Sequence, residues 1–325
     1  MKKIIALLLV LSLAFCFVAC NKDEPTPETP APQGPTTPTQ VTYKLATATI
    51  SKELSSRGGS KIANNFAVVI FDAAGKVVAA RFDSIESAHP TVSEGAIVLD
   101  AANLVSKVES NYKKGQMADT WGNQAKAFES FLVGKTAAEI GALEITNELV
   151  AGCTMVSPSY SSMLDMQALV VKAAASTKMV EFKVDEGTAL TLGLGVDASA
   201  AFNRSGNIEF TANCAGTVLA GGKVVAAIVD STVQTYTVAD GVVTNPTTYT
   251  ESKLVLGDEY GMLGGYGSKF AEWYVQAQNY ANLTVGKTVA ELANLSTDKT
   301  ELAGVCTMAS AGYKAVLIEA ANNAR

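Results

Sequence analysis

Val133-Gly134-Lys135-Thr136, followed by Ala138-Glu139-Ile140, Glu148-Leu149 and Cys153-Thr154-Met155, returns later in the chain. The second occurrence reads Val285-Gly286-Lys287-Thr288, Ala290-Glu291-Leu292, Glu301-Leu302 and Cys306-Thr307-Met308, and an apolar, helix-like tail follows each. Features this numerous in the same order imply a duplicated module. Gly134 and Gly286 suit helix stops. Thr136 and Thr288 suit N-caps, with Glu139 and Glu291 at the third position of a capping box.

Working outward, Trp121 to Val133 places Trp121, Ala125, Phe128, Phe131 and Leu132 on one helical face. Short helices over Ala137–Leu143 and, after Thr288, in the second block are expected. Longer ones are expected over Ser159–Ala175, Ser268–Leu283 and Ala311–Ala321. Strand patterns come first in each half. Val41–Ile50 alternates, and Ser55–Ser60 reads as a loop. Phe66–Phe71, a turn at Asp72–Gly75 and Lys76–Ser84 form a hairpin. In the second half Met179–Val184, Asn207–Phe210, Thr217–Ala220 and Lys223–Thr237 are strand-like, with Gly221-Gly222 as a turn. Gly222 to Ala227 matches Gly75 to Ala80 residue for residue. The offset between halves is 145 from Met117 to Met262 and 152 from Val133 to Val285. The seven added residues are expected in the long-helix region, where about two turns preserve the buried face. The fold class is therefore α+β: two tandem repeats, each an antiparallel sheet with C-terminal helices packed on it.

The N-terminus reads as an address. Lys2 and Lys3 precede an apolar run from Ile4 to Val18, too short for a membrane span and apt for a signal peptide, residues 1–19. Phe17-Val18-Ala19-Cys20 resembles the bacterial lipobox. That resemblance implies lipidation of Cys20, palmitate included, and attachment to the extracytoplasmic face of a bacterial cell membrane. Two acyl chains would hold it there stably. Residues 20–40 carry six of the nine prolines and form a tether. The repeats then occupy 41–176 and 177–325.

Composition excludes several classes. With 25 basic and 31 acidic residues, the net charge is −6, and no basic patch interleaves with aromatics, so nucleic acid is not a partner. The one histidine, His89, reads as a solvated loop residue. A lone histidine completes neither a metal set nor a His-based catalytic set, so no catalytic or metal-ligating residue is assigned.

Ala151-Gly152-Cys153-Thr154-Met155-Val156-Ser157 and Gly304-Val305-Cys306-Thr307-Met308-Ala309-Ser310 resemble the FMN-binding domain of sodium-pumping and Rnf-type electron-transfer subunits. That family carries Asp-x-x-Ser/Thr-Gly-Ala-Ser/Thr, and its last Ser or Thr takes FMN through a phosphoester bond. The resemblance places Thr154 and Thr307 at the flavin position and Gly152 at the family Gly. Cys153 and Cys306 stand where the family has Ala, and Glu148 and Glu301 where it has Asp. It implies FMN as cofactor and electron transfer, by a carrier rather than an enzyme, as the function.

From the residues alone, a glycine-containing turn opening a helix suits a phosphate, and a Thr there is equally an N-cap. Cys153 and Cys306 suit reactive thiols or small buried fillers. Tyr260, Tyr266, Trp273 and Tyr274, near Gly261, Gly264, Gly265 and Gly267, suit a ligand cleft or core packing. The alternative function is a non-catalytic lipoprotein of the cell surface, ligand-binding or structural.

Overall fold

The computed structural model describes residues 38–56, 59–100, 104–113, 119–145, 160–265, 268 and 270–325. Phe66 to Phe71 is buried at every position, which a strand tolerates only when both faces of its sheet are covered. This stretch belongs to β2 (Gly59–Phe71), paired antiparallel with β1 (Gln40–Ser56) and β3 (Val77–Ala88). Asp72 Oδ1 accepts the amides of Ala74 (2.9 Å) and Lys76 (2.8 Å), shaping the β2–β3 turn. The expected loop at 55–60 is largely strand: Ser55 pairs with Ser60 and Ser56 with Gly59.

A small hairpin follows, β4 (Thr91–Ser93) and β5 (Ala96–Val98). Then come α1 (Trp121–Leu132), α2 (Ala137–Gly141) and α3 (Tyr160–Ala174). The chain passes position 176 without leaving this body, because β6 (Val180–Asp185) pairs with β1 as the fourth strand, in the order β3-β2-β1-β6. A second sheet has the order β10-β9-β8-β7, from β7 (Leu190–Phe202), β8 (Ile208–Ala220), β9 (Lys223–Ala239) and β10 (Val242–Thr244). Asn207–Phe210 and Thr217–Ala220 are thus parts of one strand. β7 carries no clean alternation and was not expected. The chain ends through α4 (Lys253–Leu256), α5 (Trp273–Asn282), α6 (Val289–Leu292) and α7 (Ala311–Asn322).

The class is α+β with antiparallel sheets. Two sheets lie face to face with helices outside each, four layers in all within residues 39–325. Side-chain alternation sorts the layers. Leu45, Phe66, Val68 and Ile70 point toward the second sheet and its helices. Ala46, Ala67, Val69, Phe71 and Phe82 point the other way, onto Trp121, Phe128, Met166 and Leu169 of α1 and α3. Each large apolar side chain so enclosed contributes about 1.5–3 kcal/mol.

Both halves tie sheet to helix in the same way. Val77 N donates to Lys135 O (2.9 Å) and Gly134 N to Val77 O (2.8 Å). Val224 N donates to Lys287 O (2.9 Å) and Gly286 N to Val224 O (2.8 Å). Gly134 and Gly286 both have φ 82°, a left-handed conformation that glycine adopts without strain. Thr136 and Thr288 each donate both N–H and Oγ1–H to the Glu three residues on, at 2.7 and 2.9 Å.

The helix expected from Ser268 begins at Trp273. The described residues ahead of it fold back instead: Glu272 accepts the amides of Met262 (2.9 Å) and Leu263 (2.8 Å). Buried Gln276 donates to Ala271 O (2.7 Å). The added residues therefore extend this loop rather than a helix. α1 and α5 are 12 and 10 residues long.

Candidate functional site

Gly152, Cys153 and Thr154 lie outside the described residues, as do the signal segment, Cys20 and most of the tether. The second block is described. Cys306 is fully buried and burial raises its thiol pKa, which is packing rather than thiolate chemistry. Thr307 is exposed, with N–H and Oγ1–H both donated to Gln276 Oε1 at 2.8 and 2.9 Å. The Thr307 amide, the donor a phosphate would want, is thus committed to an acceptor oxygen, so the turn as it stands is a poor fit for a flavin phosphate. Gln276→Leu removes this tie while keeping bulk. The expected cost is about 1–3 kcal/mol in urea unfolding, set by the polar groups left unpaired.

A constellation spread along the chain is more distinctive. On β3, fully enclosed Asp83 accepts the amides of Ser84 (2.7 Å) and Val108 (3.3 Å) and the hydroxyl of Ser106. On β9, Asp230 accepts the amides of Ser231 (2.7 Å) and Leu254 (3.1 Å), with Ser252 beside it. Each Ser caps the turn it opens: Glu109 N donates to Ser106 Oγ (2.9 Å) and Val255 N to Ser252 Oγ (3.4 Å). Each is followed by a buried lysine. Lys107 Nζ lies over the rings of Tyr112 (5.1 Å) and Trp121 (5.7 Å), and Lys253 Nζ over Tyr260 (5.1 Å) and Trp273 (5.3 Å). The second set is extended by Tyr313, whose hydroxyl lies 3.0 Å from Trp273 Nε1.

A cleft opens over each lysine. The first, about 330 Å³, is walled by Lys61, Lys107, Lys113, Glu86 and Tyr112 among others. The second, about 390 Å³, is walled by Glu209, Glu251, Glu259, Lys253 and Tyr260 among others. The charge reversal is positional. Lys61 pairs in register with Ala88, and Glu209 with Thr235, at the same point of each sheet. Lys107 is ion-paired to Glu86, whereas Val233 stands 147 residues beyond Glu86, as Asp230 does beyond Asp83.

His89 is half-buried, not in a solvated loop. Its Nδ1 is 2.9 Å from the Tyr236 hydroxyl and its Nε2 3.0 Å from Ser60 Oγ. Ser60 donates to Glu53, which also accepts Tyr249 OH (3.3 Å). Because the Ser60 proton goes to Glu53, Nε2–H donates to Ser60 and Nδ1 accepts from Tyr236. In that arrangement the imidazole does not serve as base toward Ser60. The chain instead links the two sheets.

The paired aspartates have a measurable consequence. Burial pushes both Asp83 and Asp230 up to about 6, against the hydrogen bonds that lower them. Between their unfolded value near 3.8 and 6 the folded chain binds more protons than the unfolded one. These groups therefore add stability as pH falls from 7 toward 4.5 and remove it as pH rises through 6. The expected size over this range is on the order of 2 kcal/mol per carboxyl. Denaturation midpoints across pH 4.5–7 check this, and Asp83→Asn with Asp230→Asn should make the profile shallower, the part that remains coming from Glu319, whose carboxyl burial pushes up to about 8.

Both aspartates and both lysines were visible in the sequence as Asp-Ser at 83 and 230 and Ser-Lys at 106 and 252, spaced 147 and 146 apart. Aligning the two halves through their strands would have found them. Trp121, Gln124 and Ala125 likewise recur as Trp273, Gln276 and Ala277. Compared with known proteins, the chain matches no family model, no curated sequence and no solved structure.

Proposed function

We propose that this chain is a lipid-anchored, extracytoplasmic lipoprotein of a bacterial cell membrane that binds small ligands without catalysing their conversion, and that its two halves arose by duplication of one unit. The reading is carried by the paired clefts, each floored by a buried lysine over two aromatic rings, with the surrounding charges reversed. The first cleft suits a multivalent anion such as a tricarboxylate, because Lys61, Lys107 and Lys113 line it with a single carboxylate, Glu86. A duplicated ligand cleft that keeps its frame while inverting its charge takes two kinds of ligand from one architecture. Anchoring through Cys20 would hold both clefts beyond the bilayer on the proline-rich tether.

A thermal-shift screen of the mature chain tests this. Citrate should raise the midpoint in a salt-sensitive manner, and Lys61→Glu should abolish the rise. A flat response to all multivalent anions would count against binding at the first cleft. Cys20→Ser should move the protein from the membrane to the soluble fraction. Flavin attachment at Thr307 is the second reading, favoured by the exposure of that side chain. The intact mass of protein from its own host, with or without the increment of covalent FMN, separates the two.

A further inference from the structure

Lys107 and Lys253 occupy like positions but are not alike in their partners. Lys107 is neutralised by Glu86. Lys253 is buried, and no carboxylate among the described residues forms an ion pair with it. The three glutamates around the second cleft do not reach its amine, and Glu251 is paired with Lys172. Val233, a wall residue of that cleft, stands where the first half has Glu86. A buried amine lacking a counter-ion favours its neutral form, which is the nucleophilic one.

We propose that Lys253 is a carbonyl-capture site, whose amine at the floor of the second cleft condenses reversibly with a small uncharged or cationic aldehyde. The amine lone pair attacks the carbonyl carbon, and the carbon–oxygen π pair moves onto oxygen, which takes the proton lost by nitrogen. The carbinolamine hydroxyl then leaves as water, with a proton supplied by solvent in the open cleft. The nitrogen lone pair forms the C=N bond and the last N–H proton returns to solvent. No oxidant or metal is needed, and aldehyde plus amine gives imine plus water. Burial pushes the Lys253 amine down to about 8, ahead of the opposing pull of Asp230 and Glu209. The ring faces of Tyr260 and Trp273 also favour the cation, while Lys253 itself lines the cleft. Glu209, Glu251 and Glu259 repel an anionic aldehyde, which sets the ligand class.

This goes beyond the binding reading and fails separately from it. The test is reductive trapping: the mature chain is incubated at neutral pH with benzaldehyde and sodium cyanoborohydride, and labelled lysines are mapped by peptide mass over time. Lys253 should be labelled at least about tenfold faster than Lys107, its buried counterpart with an ion pair. At Lys253, 4-formylbenzoate should react more slowly than benzaldehyde. Val233→Glu, which supplies the missing carboxylate at a half-exposed position, should slow labelling of Lys253 toward the Lys107 rate. Labelling of Lys253 no faster than Lys107, or equal labelling of a folded Val233→Glu chain, overturns the proposal. A citrate response at the first cleft would survive either outcome.

Discussion

Gly193→Ala is expected to destabilise the chain by more than about 3 kcal/mol, at the upper end of overpacking effects. α7 lies directly on β7, and a Cβ at position 193 would sit 2.7 Å from the carbonyl carbon of Ala320, closer still to its oxygen. At Gly195 a Cβ would lie 2.7 Å from Ala320 N and 3.0 Å from Glu319 Cβ. The obstacles are mostly helix backbone, so no rotamer change relieves them. Two glycines alternating on one face of a strand thus mark a close approach of helix to sheet. The contact also places Glu319 Oε1 3.2 Å from Val196 N, where burial pushes the carboxyl up to about 8. Urea unfolding of Gly193→Ala and Gly187→Ala separates causes, since Gly187 has open space around it and only its positive φ to lose. The first should show the much larger fall. Equal effects would mean that α7 does not pack where described.

Glu129→Ala should cost about 3–5 kcal/mol, the range found when one partner of a buried ion pair is removed. Glu129 on α1 is 3% exposed and accepts from Arg81 Nη1 (3.1 Å), Arg325 Nη2 (2.8 Å) and Phe82 N (3.2 Å). Burial raises its pKa, and Arg81 and then Arg325 oppose that shift. Without the carboxylate, Arg81 is left largely buried beside a second cation, and α1 loses its tie to β3. Arg325→Ala should cost much less, because the more enclosed Arg81 still pairs with Glu129. A chemical-denaturation series of both variants decides, and a Glu129→Ala loss no larger than that of Arg325→Ala would contradict the assignment.

Local features proved the most legible in the sequence. The helix over Trp121–Val133, the Thr136 and Thr288 capping boxes and the glycine stops follow from side chains within four residues of one another, and the structure has them. β7 was missed because it reads LTLGLGVDASAAF, where glycines and small residues replace the usual alternation. Those glycines serve the helix above the sheet, information that the strand itself does not carry. The face-to-face sheets were missed because β6 crosses back to pair with β1. His89 looked isolated because its partners Ser60 and Tyr236, and Glu53 and Tyr249 beyond Ser60, come from distant parts of the chain. The lysine clefts are hard to read from the sequence for a different reason: the recurring Asp-Ser and Ser-Lys pairs lie outside the repeated Cys-Thr-Met block, and each pair is only two residues long.

The chain has two tryptophans, and each lies beside the lysine of one cleft: Trp121 under Lys107 and Trp273 under Lys253. Trp273→Phe therefore leaves a reporter for the first cleft alone, and Trp121→Phe one for the second. The most direct measurement is the emission of these two variants during a citrate titration at low salt. A saturable change from Trp121, lost on adding salt, with none from Trp273, is the expected result. No change from Trp121, or the same change from both tryptophans, would contradict the paired, charge-reversed binding clefts.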